Sequence, residues 1–193
     1  MNIESAILAG GKNSRYGGQN KAFLLVGNKK IIDRNIEVLS PYFSRISIIT
    51  NAPTQFSDYS NFDMNADYYH EIGPLAGIHS ALKNTQADGV FISSCDMPFL
   101  DKLLIDTIIK TAETRKALIV IPRVGNRIEP LFAFYNRSIL KQLEQHIEEG
   151  KERSIRSFLS KIDTIYMDFE DSKQTRLAFT NINRPSDLSK LGN

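Results

Sequence analysis

The stretch SAILAGGKNSRYGGQNK, residues 5–21, decides the fold. Its first five residues form a short apolar run that stops at Gly10-Gly11, as a buried strand does where it meets a turn. Four glycines, at 10, 11, 17 and 18, fall within nine positions. Lacking Cβ atoms, they leave backbone N–H groups open to close approach by an anion. Lys12, Arg15 and Lys21 interleave cationic donors with them, and no acid lies between residues 12 and 21. Directly after a first strand, such a loop suits a phosphate chain. It has neither the Gly-Lys-Ser/Thr end of a Walker loop nor the Gly-x-Gly-x-x-Gly spacing of a dinucleotide site. A plain surface turn would account for the glycines but leaves the three cations unexplained.

Outward from this loop, apolar runs alternate with helical patterns. Residues 31–43 place Ile31, Ile32, Ile36, Leu39 and Phe43 on one helix face, with Lys29-Lys30 at its surface start. Residues 45–50 read as a β-branched strand and 52–66 as a polar loop. A helix is predicted over 74–83 with Pro74 in its first turn, a strand over 89–94, a helix over 101–114 and a strand over 117–121. Later come a strand over 131–135, an acidic helix over 138–149 ended by Gly150, a short helix over 154–159, a strand over 163–168 and a terminal helix over 185–191. The repetition of strand and helix implies a mainly parallel sheet with helices on both faces. No linker or internal repeat divides residues 1–193, so one domain is expected.

Composition narrows the function classes. With 24 Lys+Arg against 22 Asp+Glu the net charge is +2, too small to indicate nucleic acid or a membrane surface as partner. Hydrophobic residues at 41% and charged ones at 24% fit a soluble globular chain. No apolar run is long enough to span a bilayer, and Met1-Asn2-Ile3-Glu4-Ser5 lacks the basic and long apolar regions expected of a signal peptide. The single cysteine, Cys95, cannot form an internal disulfide or a Cys-rich zinc site, and a cytoplasmic location is expected. His70, His79 and His146 lack metal spacing and read as structural or solvated.

Four further segments carry chemistry. Gly73-Pro74-Leu75-Ala76-Gly77-Ile78 lets a helix start pass close to a ligand, although an ordinary helix start explains it too. Ser94-Cys95-Asp96-Met97-Pro98 places Asp96 at the carboxyl end of a strand, where a hard cation can bind; a turn aspartate is the plainer alternative. Cys95 reads as a small buried filler. The remaining two are Arg127-Ile128-Glu129-Pro130-Leu131 and Asn181-Ile182-Asn183-Arg184-Pro185-Ser186-Asp187-Leu188.

Taken in order, these segments resemble the molybdenum cofactor guanylyltransferases. LAGGKNSRYGGQNK matches their first signature, with Tyr16 in place of the usual Met and Asn20 in place of the usual Asp. Glu129 stands where they usually carry Gln. The resemblance implies a three-layer, Rossmann-like nucleotidyltransferase fold, with nucleotide in the N-terminal half and acceptor in the C-terminal half. It implies nucleotide contacts at Leu8, Ala9, Gly10, Gly11, Ser14, Arg15, Lys21, Asn51, Asp67, Gly73, Leu75, Ala76 and Gly77, magnesium on Asp96, and acceptor contacts at Asn181 and Asn183. An Asn-capped helix start accounts equally for the last two. Lys151 and Arg153 read as a solvated loop, with the acceptor's phosphate as an alternative partner.

The implied reaction is GTP plus a molybdopterin-type cofactor giving the guanine dinucleotide cofactor and pyrophosphate, with Arg15, Lys21 and Asp96 as its catalytic residues. Related cytidylyl and sugar nucleotidyltransferases usually carry Ala where this chain has Gly10, which favours a larger base here. Two alternatives stay open: a relative using CTP or a sugar phosphate, and a catalytically silent GTP-binding partner that delivers cofactor. Transient contact with other cofactor-biosynthesis proteins or apo-molybdoenzymes is also implied.

Overall fold

The structure is a computed structural model that describes residues 1–10, 15–16, 19–150, 152–182 and 187, with backbone alone at 15, 16 and 19. An eight-stranded sheet forms its centre, made of β1 (Ile3–Leu8), β2 (Ile46–Ile49), β3 (Asp63–Asn65), β4 (Gly89–Ser94), β5 (Ile119–Val124), β6 (Arg127–Ile128), β7 (Phe132–Asn136) and β8 (Thr164–Asp168). The helices are α1 (Ile31–Leu39), α2 (Pro74–Asn84), α3 (Lys102–Arg115), α4 (Leu140–Glu149), α5 (Ile155–Leu159) and α6 (Lys173–Ala178). Across the sheet the order is β3-β2-β1-β4-β7-β5-β8, with β6 a short hairpin arm on β5. β1 to β4 run parallel, β8 runs parallel to β5, and β7 is antiparallel to both of its neighbours. β4 and β5 therefore point the same way, and their carboxyl ends share one edge.

Helices cover both faces, which is why the strands read as near-continuous apolar runs rather than alternating ones. Successive side chains of β1 show the division: Ile7 packs with α1, α3 and α6, while Ala6 and Leu8 pack with α2, α4 and α5. The central strand β4 is buried along its whole length. Gly89 opens it because β7 crosses there; a Cβ would stand 2.5 Å from Phe134 Cε2 and 2.8 Å from the Tyr135 carbonyl oxygen. Asp101 starts α3 by accepting from the Leu103 and Leu104 N–H groups at 2.9 and 3.0 Å. No helix among the described residues is long and apolar enough to cross a membrane.

Three segments differ from their reading in the sequence. Residues 52–66 hold a 3₁₀ stretch at Pro53–Tyr59 and the strand β3. Their polarity misleads because β3 is an edge strand and only Phe56 and Tyr59 of the 3₁₀ stretch are buried. Lys29-Lys30 pairs with Leu25–Val26 as a two-stranded ribbon before Lys30 starts α1. Helix α6 is too short to print a period; it forms on a capping box between Ser172 and Thr175. The terminal helix expected over 185–191, and Lys151, lie outside the described residues.

Candidate active site

β1 connects through α1 to β2 on one side of it, while β4 lies on the other. The edge between β1 and β4 is thus a point where connections diverge, and crevices open there in α/β sheets. Two backbone bonds bring the loops out side by side: Ala9 N–H to the Ile49 carbonyl at 2.8 Å, and Cys95 N–H to the Leu8 carbonyl at 3.0 Å.

Gly10 faces a polar pair from the neighbouring strands. A Cβ there would lie 3.6 Å from Asp67 Oδ2 and 3.8 Å from Asn51 Nδ2. Asn51 Nδ2 donates to Asp67 Oδ2 at 2.7 Å, and the Asp67 N–H donates to Asn51 Oδ1 at 2.9 Å. Burial pushes the Asp67 carboxyl above its ordinary range, and the Asn51 amide offsets only part of this. The segment carrying Asp67 is tied to α2, where the Ser80 hydroxyl donates to the Ala66 carbonyl at 2.8 Å and accepts from Tyr68 N–H at 3.3 Å. Gly77 lets the first turns of α2 close onto the end of β1, since a Cβ would stand 3.0 Å from Leu8 Cδ1. Leu75 and Ala76 are buried in this contact, so they back the crevice instead of lining it with side chains.

On the β4 side of this edge, Lys21 and Asp96 meet. Lys21 begins a 3₁₀ turn and is buried, with Nζ 3.5 Å from Asp96 Oδ2. Ser94 donates its hydroxyl to Asp96 Oδ1 at 2.6 Å. The Ser94 carbonyl is in turn held by Asn35 Nδ2 of α1 at 3.2 Å. Asn20, 4% exposed, donates Nδ2 to the Ala9 carbonyl at 2.8 Å and accepts from the Ala22 N–H at 3.0 Å. Its amide thereby ties the start of the glycine loop to the turn that carries Lys21. Cys95 is buried, and its thiol is pushed up to about 12 by that burial, so it stays a neutral filler.

The structure brings Gly10, Asn51, Asp67, Gly73, Lys21 and Asp96 to one edge of the sheet. Asn181 joins them through its neighbour, because the Ile182 N–H donates to the Asp96 carbonyl at 2.7 Å. Gly11, Lys12, Ser14 and Asn183 lie outside the described residues, and Arg15 is described by backbone alone. Glu129 is raised above its ordinary range by burial, with Arg127 opposing. His79 joins α2 to α4, its Nε2 3.1 Å from Glu144 Oε1, and His146 is buried beside Phe158. The sequence reading gave no role to Asn35 or to the Ser94 hydroxyl; an asparagine set within the apolar stripe of 31–39 is the signal that could have found the first.

A divalent cation fits this donor set. Among the described residues no three His, Cys, Asp or Glu side chains gather into a cage. The protein offers the Asp96 carboxylate, and phosphate and water oxygens would complete the shell, the coordination that small hard cations favour.

The site and the sheet, with one antiparallel strand between parallel ones, are those of a nucleotidyltransferase, as the family match shows. Residues 5–165 match the family described as the MobA-like NTP transferase domain. The molybdenum cofactor guanylyltransferase of Vibrio vulnificus is 32% identical over 188 residues, covering 96% of this chain and 93% of its own. A probable molybdenum cofactor guanylyltransferase of Peptoclostridium acidaminophilum is 35% identical over 168 residues, covering 83% and 74%. In structure, molybdopterin-guanine dinucleotide biosynthesis protein A from Archaeoglobus fulgidus superposes with a TM-score of 0.79 at 27% identity, covering 97% of this chain and 95% of its own. The chain belongs to the molybdenum cofactor guanylyltransferase family.

Proposed function

We propose that the chain transfers GMP from GTP to the terminal phosphate of a molybdopterin-type cofactor, releasing pyrophosphate, with magnesium as the metal. The observation that carries this reading is the pairing of Lys21 and Asp96, 3.5 Å apart, at the same edge of the sheet as Gly10 and the Asn51–Asp67 pair. The cation and carboxylate can screen a phosphate chain and its metal, while the amide–carboxylate pair offers hydrogen bonds to a base or ribose. Asp96 would hold magnesium, which when bound supplies positive charge against the phosphates. The backbone of the glycine loop, Lys21 and Arg15 would orient the triphosphate and balance the charge that builds at the α-phosphorus. Catalysis is then positioning and electrostatics. The acceptor's phosphate is already ionised at neutral pH, so no side chain need act as general base. Asn181 and Asn183 are assigned to the acceptor, and the reaction is placed in the cytoplasm.

The test is pyrophosphate release from GTP with and without molybdopterin, in the parent and in Asp96→Ala. Release that requires molybdopterin, falling at least a hundredfold in Asp96→Ala, is expected. Activity of the variant within a few-fold of the parent overturns the metal assignment.

A further inference from the structure

The carboxylate at the end of β4 is held by a side chain that the mechanism above does not use. Ser94 and Asp96 stand two residues apart across Cys95, and the Ser94 hydroxyl donates to Asp96 Oδ1 at 2.6 Å. The other oxygen, Oδ2, faces Lys21 Nζ at 3.5 Å. We propose that Ser94, steadied from α1 by Asn35, is a positioning residue whose hydroxyl holds the Asp96 carboxylate off Lys21. The carboxylate is then kept for a divalent cation and the ammonium for phosphate, an inference that rests on the reading of Asp96 as the metal-holding residue of a nucleotide-transfer site.

Distance is the first argument. A cationic nitrogen hydrogen-bonded to a carboxylate settles at about 2.7–2.9 Å. The Lys21 and Asp96 side chains are 7% and 20% exposed, where water screens their attraction weakly, yet they stand 3.5 Å apart. The bond from Ser94 supplies the opposing hold: it is short, charge-assisted and placed on the other oxygen.

The second argument is that nothing else in the turn needs this bond. The Cys95 N–H donates to the Leu8 carbonyl at 3.0 Å, the Met97 N–H to the Ser94 carbonyl at 3.3 Å, and the Ile182 N–H to the Asp96 carbonyl at 2.7 Å. The backbone is thus fixed from β1, from within the turn and from the C-terminal segment. Among the described residues the Ser94 hydroxyl and the Asp96 carboxylate bond no backbone group, so their contact caps nothing and sets only the direction of the carboxylate.

Asn35 is the third. It is wholly buried in the apolar stripe of α1, gives one bond, from Nδ2 to the Ser94 carbonyl at 3.2 Å, and leaves Oδ1 without a partner among the described residues. A buried oxygen left unpaired costs stability, and the Ser94 carbonyl already has the Met97 N–H. A leucine at this position would fold at least as well. The asparagine therefore serves residue 94 rather than the core.

The experiment uses the full chain with Ser94→Ala, Ser94→Thr and Asn35→Leu, each checked by thermal melting. Binding of Mn2+ at saturating GTP, without molybdopterin, is followed by the electron paramagnetic resonance of free Mn2+, and binding of GTP alone is measured in EDTA. In Ser94→Ala the Mn2+ affinity is expected to fall about tenfold, and GTP in EDTA to bind at least threefold more weakly because the carboxylate now competes for Lys21. Ser94→Thr, which keeps the hydroxyl, should restore both to within threefold of the parent. Asn35→Leu should melt at or above the parent and still bind Mn2+ at least threefold more weakly; Mn2+ binding within twofold of the parent overturns the part given to Asn35. In turnover, Ser94→Ala should need about tenfold more magnesium for half its maximal rate, with that maximum within threefold of the parent. If the parent guanylylates molybdopterin and Ser94→Ala keeps either affinity within twofold, the positioning role is overturned while the proposed reaction stands. If Ser94→Ala loses Mn2+, Ser94→Thr restores it and the parent transfers no GMP, the positioning role stands and the proposed reaction falls. A parent that binds no Mn2+ with GTP, or a loss in Ser94→Ala that comes with lowered melting and is not restored by threonine, also overturns the assignment.

Discussion

Asn20 occupies a position where the family usually carries aspartate, and the structure makes the exchange testable. The side chain is 4% exposed and uses both ends of its amide: Nδ2 to the Ala9 carbonyl at 2.8 Å, and Oδ1 from the Ala22 N–H at 3.0 Å. A carboxylate in Asn20→Asp can still accept from Ala22 but has no proton for Ala9, so two oxygens would face each other in a buried site. Leaving one buried carbonyl unpaired costs about 2 kcal/mol, and Asn20→Ala, which orphans Ala9 and Ala22 together, costs about 4. Lys21 offers little rescue, because its Nζ is drawn to Asp96. For a chain of this size each kcal/mol moves the melting temperature by about 2–4 °C, giving losses of about 4–8 °C for Asn20→Asp and about 8–16 °C for Asn20→Ala. Thermal melts at pH 7, with urea midpoints at unchanged slope, measure both. An Asn20→Asp protein that melts at or above the parent would refute this reasoning, family-like though that residue is.

Three other substitutions probe the crevice and its scaffold. Gly10→Ala should leave melting unchanged, since the nearest atoms to a new Cβ are 3.6–3.8 Å away; its methyl would stand before Asn51 and Asp67 and raise the KM for GTP about tenfold. Asp67→Asn tests a linkage sign. Because burial raises this carboxyl in the folded chain, the proton it binds favours folding at low pH, and that contribution is lost as pH rises through the raised value. The variant should therefore melt at or above the parent at pH 7, lose that advantage near about pH 3.5, and bind GTP more weakly; a parent that melts higher at pH 7 contradicts it. Gly89→Ala forces a Cβ to 2.5 Å from Phe134 Cε2 and should destabilise by about 1–3 kcal/mol in urea titrations without altering either KM.

The alternation of apolar strand and helix was legible because strands covered on both faces read as unbroken runs. The predicted strand over 89–94 coincides with β4, and that over 45–50 contains β2. What escaped were elements held by something other than period. β3 forms because an edge finds backbone partners on β2, and α6 because Ser172 and Thr175 cap each other. At the site, glycine spacing and strand-end position pointed to Gly10 and Asp96, since backbone openness and sheet topology leave traces in one dimension. The support beneath them did not: Asn35 beneath Ser94, and Asn20 between Ala9 and Ala22, are contacts between segments far apart in the chain or folded back on each other.

The most direct test of the account is a competition among GTP, CTP, ATP and UTP for transfer to molybdopterin with magnesium, products identified by mass. The structure's open Gly10, facing Asn51 and Asp67, predicts GTP preferred at least tenfold, with guanine dinucleotide cofactor and pyrophosphate formed in equal amounts. Preferential use of CTP, or guanine nucleotide bound without transfer at saturating magnesium and molybdopterin, would contradict it.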